Sequence, residues 1–245
     1  MSKNTDTVNI LGVNFIKSDK NSLMQVLTSR IDSENKTFLV TANPEIVMHA
    51  IEKEEYFTIL ENADFIVPDG IGIIKAAAIL NNPLPERIAG YDLMVDLLQV
   101  ANHKCLKIYL LGAEENVLSR AIDQIRSRFP NINIVGHQNG YFDWESNSIS
   151  EQISKVKPDL IFVALGVPKQ EKWIYENIHK FDKGLFMGVG GSFDVLAGNV
   201  KRAPLVWQKM NLEWLYRLIK QPWRWKRMMA IPRFVTKVIS QKNRG

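Results

Sequence analysis

The chain has 245 residues, of which 46% are hydrophobic and 23% charged, which suits one sizeable core with an appendage and excludes disordered, collagen-like and coiled-coil classes. The longest uncharged apolar run, residues 160–167, is too short to span a bilayer. The net charge of +5 hides a split: residues 196–245 hold 12 Lys and Arg against Glu213 alone, giving +11, while the other residues carry 19 basic and 25 acidic groups, giving −6.

Strand-like and helix-like segments alternate along the acidic part. A strand over 8–11 is followed by a helix over 22–31, where Leu23, Val26, Leu27 and Ile31 recur at helical spacing. A strand over 37–41 runs into Ala42-Asn43-Pro44-Glu45, and Pro44 suits the first turn of a helix over 45–62. The next strand, 64–67, ends at Pro68-Asp69-Gly70, and a proline-punctuated loop with Arg87 leads to a helix over 91–102. Strands over 106–111, 132–135, 159–165 and 185–189 then alternate with helices over 114–129, 148–156 and 169–179. This order predicts an α/β, Rossmann-like, mostly parallel sheet with helices on both faces, formed by residues 1–195. Residues 196–245 read as a basic, Trp-rich helical appendage that the body can lose without unfolding; four of the six tryptophans lie there.

Ligands of such sheets sit beyond the carboxyl ends of the strands, so the residues following each strand are the candidates. Asp69 there is a general base, a ribose ligand or a helix cap. Gly190, Gly191 and Ser192, with Asp194 beyond them, form either a tight turn or a cradle of backbone amides for an anion. Arg87 is a solvated charge or a fork for a diphosphate. Gln170 lies in a first helical turn, open to solvent or to a phosphate or sugar. The chain contains no G-x-G-x-x-G, no G-x-x-x-x-G-K-[ST] and no D-x-D. That argues against a nicotinamide-dependent oxidoreductase, a P-loop and a metal-dependent nucleotide-sugar site. No metal or cofactor is expected. Cys105 is alone and the N-terminal MSKNTDTVNI has no apolar signal core, so the expected home is cytoplasmic.

In the tail, Leu212, Leu215, Tyr216 and Ile219 share one helical face, and the next turns mix Trp with Arg and Lys. Basic charge with interleaved indoles suits an interfacial helix on an anionic membrane, or an ordinary helix packed on the body. No nucleic-acid-binding motif accompanies it.

Seven motifs occur together and in order: Thr41-Ala42-Asn43-Pro44-Glu45, Val67-Pro68-Asp69-Gly70, Pro83-Leu84-Pro85-Glu86-Arg87, Tyr109-Leu110-Leu111-Gly112, Gly166-Val167-Pro168-Lys169-Gln170-Glu171, residues 188–194, and Lys201-Arg202-Ala203-Pro204. This set resembles the WecG/TagA/CpsF glycosyltransferase family. The resemblance implies an inverting transfer of N-acetylmannosamine from UDP-N-acetylmannosamine to undecaprenyl-diphosphate-linked N-acetylglucosamine; sibling branches use N-acetylmannosaminuronic acid or hexoses. It further implies that Asp69 is the general base, that Thr41 and Asn43 line its pocket, and that Arg87 stabilises the leaving diphosphate. Gln170 would contact the donor, and Arg217, Arg224 and Arg227 would reach the active site or the lipid-linked substrate. The implied partners are a UDP-sugar, a polyprenyl-diphosphate acceptor and the inner face of the cell membrane, with a homo-oligomer left open.

Overall fold

The structure, a computed structural model, describes residues 6–144, 146, 148–220, 222, 225 and 229–244, the side chains of Lys209 and Arg217 excepted. The first strand does not join the main sheet. β1 (Thr7–Ile10) turns back through Leu11 and Gly12, whose φ angles are 54° and 90°, and pairs antiparallel with β2 (Val13–Ile16). Two positive φ values in a two-residue loop match the right-handed twist of a hairpin, and the tight Leu11-Gly12 turn, with only Gly12 to mark it, hid β2 from the sequence pattern.

Strands buried on both faces read as continuous apolar runs, and such runs build the main sheet. β3 (Thr37–Ala42), β4 (Phe65–Pro68), β5 (Lys107–Gly112), β6 (Asn133–Gln138), β7 (Leu160–Ala164) and β8 (Leu185–Gly188) lie parallel in the order β4-β3-β8-β7-β5-β6. Successive side chains point to opposite faces. Phe38, Val40, Ile161, Val163 and Phe186 therefore enter one core cluster, and Leu39, Leu160, Phe162, Leu185 and Met187 the other.

The second of these cores is covered by α1 (Lys20–Asp32), which supplies Leu23 and Leu27. The first is covered by α2 (Pro44–Glu52), α3 (Glu54–Glu61) and α4 (Ile71–Ile79), which supply Ile46, Tyr56 and Ile73. The single helix expected over 45–62 is interrupted at Lys53, whose φ and ψ of −134° and 103° are extended. The break turns α3 so that Tyr56, Ile59 and Leu60 are buried. α5 (Gly90–Lys104) and α6 (Glu115–Arg128) lie on the second core, α7 (Ser148–Val156) and α8 (Lys169–Asn177) on the first, and α9 (Ser192–Leu196) on the second.

Beyond residue 195 come α10 (Leu205–Lys209), α11 (Glu213–Lys220) and α12 (Ala230–Lys242). The far end of the expected appendage returns to the body. α12 packs on α2 and α4, and its Phe234 and Val238 are buried within the first core. Arg233 pairs with Glu52 at 2.7 Å. Gln241 closes the hairpin turn: its Oε1 accepts from the Leu11 N–H at 2.8 Å, and its Nε2 donates to the Asn9 carbonyl at 3.3 Å.

Candidate active site

The carboxyl ends of β3, β4 and β8 open into a cavity of about 490 Å³. Its floor follows from strand register. Thr41 faces Val67 across the β3–β4 ladder, Ala42 faces Pro68, and the Asp69 N–H donates to the Ala42 carbonyl at 2.9 Å. Thr41 and Asp69 thus emerge side by side where the two strands end. Gly90 opens α5 against both: a Cβ there would lie 2.8 Å from Thr41 Oγ1 and 3.5 Å from Asp69 Oδ2. Only glycine lets the helix start this close to the two side chains. Asn43 lines the same cavity and caps α2, its Oδ1 accepting from the Ile46 N–H at 3.1 Å.

Arg87 enters from the loop before α5. The residues on either side of it are pinned: Glu86 accepts from the Lys20 N–H at 2.7 Å, and the Ile88 N–H donates to the Pro68 carbonyl at 2.9 Å. The Arg87 side chain is largely buried and pairs with Glu213 Oε2 at 3.6 Å. Glu213, the tail's sole acid, also lies 3.5 Å from Arg202 Nε, and Arg202 donates to Asp92 at 2.8 Å. An alternating line of charge, Arg87–Glu213–Arg202–Asp92, therefore fastens the start of α11 to the body.

Thr41, Asn43, Asp69, Arg87, Gly191 and Ser192 all line this cavity. Gln170 does not. It is buried in α8, where its Oε1 accepts from the Gly190 N–H at 2.9 Å and its Nε2 donates to Glu171 at 2.7 Å. Its side chain positions the β8–α9 loop. The Ser192 N–H is likewise taken, by the Val189 carbonyl at 3.0 Å. The amide cradle expected in this loop thus does not include the amides of Gly190 and Ser192. Asp194 lies outside the lining; burial raises its carboxyl above the usual range, with the Glu114 charge adding to the effect. Arg224 and Arg227 fall outside the described residues, as does the side chain of Arg217.

Sequence reasoning passed over Gly90, Arg202 and Glu213 as site residues. The Lys201-Arg202-Ala203-Pro204 motif held a signal for Arg202, since a basic residue fixed next to a proline-ended loop calls for a partner. Glu213 carried one too, as the one acid in a +11 segment.

Behind Gln170, Glu171 is 1% exposed, and the Tyr56 hydroxyl lies beside it outside hydrogen-bonding geometry. Burial pushes the Glu171 carboxyl from its ordinary 4.5 up to about 7, with the Gln170 amide offsetting part of the rise. As pH climbs from 4.5 to about 7, the unfolded chain gives up this proton while the folded chain keeps it. Folding stability from this group therefore falls across that window. Glu171→Gln, which cannot titrate, is expected to flatten the decline; thermal melts across the window check this, and parallel profiles for the two proteins contradict it.

Residues 8–245 match the glycosyl transferase WecG/TagA/CpsF family. A Bacillus subtilis relative named N-acetylglucosaminyldiphosphoundecaprenol N-acetyl-beta-D-mannosaminyltransferase is 43% identical over 237 residues, covering 96% of this chain and 92% of its own. Relatives of the same name from Bacillus spizizenii and Staphylococcus aureus are 41% and 40% identical, over 94% and 98% of this chain and 90% and 95% of theirs. With its parallel sheet, its cavity at the carboxyl ends of the strands and this match over nearly its whole length, the chain belongs to the WecG/TagA/CpsF glycosyltransferase family.

Proposed function

We propose that the chain moves N-acetylmannosamine from UDP-N-acetylmannosamine to undecaprenyl-diphosphate-linked N-acetylglucosamine, forming a β-1,4 link with inversion, as an early step of teichoic acid linkage-unit synthesis. The observation that carries this is the convergence of Thr41, Asp69 and Arg87 in one cavity, in a chain whose relatives bear that enzyme name. In this reading Asp69 takes the proton of the acceptor's 4-hydroxyl as that oxygen bonds to the anomeric carbon, and the bond from this carbon to the UDP oxygen breaks. Thr41 helps orient the hydroxyl. Charge grows on the departing diphosphate, and the guanidinium fork of Arg87 meets it in a partly buried setting where its field is little screened. Glu213 bridges Arg87 and Arg202 at 3.6 and 3.5 Å, so a diphosphate arriving there competes with this carboxylate.

Two measurements test the leaving-group part. Arg87→Lys keeps the charge but not the fork, and turnover is expected to fall by roughly 10- to 100-fold. In a UDP-release assay with a panel of UDP-sugars and the lipid-linked acceptor, EDTA is expected to leave activity standing. Loss of activity in EDTA, with recovery in Mg²⁺ or Mn²⁺, contradicts the assignment to Arg87.

The same reading seats the enzyme on the inner face of the cell membrane. Leu205, Val206, Met210 and Ile219 each expose more than half their surface, in a segment of net charge +11. Apolar anchors among cations suit an anionic interface. Among the described residues no helix is long and apolar enough to cross a membrane. In this reading Arg217, Arg224 and Arg227 of the same basic segment serve the active site or the lipid-linked substrate.

A further inference from the structure

The cavity changes character along its length. One end carries Thr41, Asp69 and Arg87. The other is walled by two helices: Ile79 of α4 on one side, and Ile231, Val235 and Val238 of α12 on the other. On α12 these residues fall at positions i, i+4 and i+7, one helical stripe. Val238 is buried as part of the core, whereas Val235 is 39% exposed and Ile239, one turn further on the same face, is 46% exposed. The stripe thus runs from the catalytic cavity to the surface and is not closed over by other described side chains. Where the polar and apolar ends meet, Lys75 joins Arg87 in the lining and supplies positive charge.

A ligand complementary to this surface has an anionic head and a branched hydrocarbon chain joined directly to it. We propose that the channel between α4 and α12 takes the first isoprene units of the acceptor's polyprenyl chain, holding the diphosphate and its sugar at Asp69. This rests on the reading of the reaction above and adds to it a binding site for the lipid within the protein, distinct from attachment to the membrane surface. It assigns α12 a task in recognition: the helix supplies one wall of the acceptor channel.

The test separates the channel from both the membrane and the chemistry. Farnesyl diphosphate and inorganic diphosphate are titrated against the full-length chain by calorimetry, without vesicles or detergent. Burying a few methylenes suffices for a tenfold change in affinity. Farnesyl diphosphate is therefore expected to bind the wild type at least about 10-fold more tightly than inorganic diphosphate. Val235→Asp sets a charge in the channel at a position exposed enough for the fold to accept it, and is expected to abolish that difference. Ile79→Ser, on the facing wall, is expected to reduce it. Both variants are expected to bind inorganic diphosphate as the wild type does. Equal binding of the two diphosphates by the wild type overturns the proposal, as does undiminished binding of farnesyl diphosphate by Val235→Asp. A second arm measures transfer to N-acetylglucosamine diphosphate esters bearing a methyl group or a short prenyl chain. The expected result is a lower acceptor KM for the prenyl ester in the wild type and no such gain in Val235→Asp. A protein that binds farnesyl diphosphate as expected but transfers sugar to neither ester overturns the reading of the reaction and upholds the channel.

Discussion

Asp69→Asn is expected to lower turnover by about 100-fold or more, the usual scale for loss of a general base, with UDP-sugar affinity largely kept. The substitution preserves shape, so the Asp69 N–H bond to Ala42 and the packing of Gly90 against the side chain persist. Only basicity is lost. The check pairs single-turnover transfer with donor titration: a folded Asn variant that turns over at the wild-type rate removes Asp69 from the role of base. A variant that also loses donor binding shows instead that the carboxylate holds substrate.

Removal of the chain after Ala197 is the second large effect expected. The sheet and the helices of both its faces lie before that point, so the body is expected to keep its fold, in line with the division at residue 195. It loses Arg202, the Glu213 partner of Arg87 and the wall formed by α12, and transfer is expected to drop by at least about 100-fold, the scale associated with small misplacements of reacting groups. It also bares the apolar faces of α2 and α4 that Phe234 and Val238 cover. Bared surface of this kind promotes association. The truncated body is therefore expected to unfold at lower denaturant concentration than the full chain and to self-associate. Phe234→Ala in the full chain isolates the packing component, with an expected loss of about 3–5 kcal/mol by urea denaturation. Identical unfolding midpoints for the full and truncated chains contradict this account and return α12 to the status of an independent appendage.

What could be read from the sequence follows from where the information is local. β7 and β3 announce themselves as continuous apolar runs because the sheet is covered on both sides. Asp69, Asn43 and Gly191 were legible because a residue just after a parallel strand points to the ligand side. α4 was not, since Ile71–Ile79 is apolar on nearly every side and shows no period. The break at Lys53 has neither Gly nor Pro to mark it and is set by the burial of Tyr56, Ile59 and Leu60 against the rest of the fold. Gln170 was legible as a candidate, but its burial and its hydrogen bond to the Gly190 amide were not, because that contact joins α8 to a loop 20 residues further on. The pairing of Arg87 with Glu213 joins distant parts of the chain, and no local pattern encodes it.

The clasp of Gln241 on the hairpin turn gives the molecule a closed circuit that its linear sequence does not suggest. Chain ends ordinarily fray first, opening at small free-energy cost compared with the centre. Here the hairpin and α12 hold one another through Gln241, so neither element loosens without breaking contacts of the other. The backbone amides around Phe234 and Val238 are accordingly expected to exchange with solvent as part of a unit that includes Leu11, so that the α12 wall of the cavity opens as slowly as an interior element.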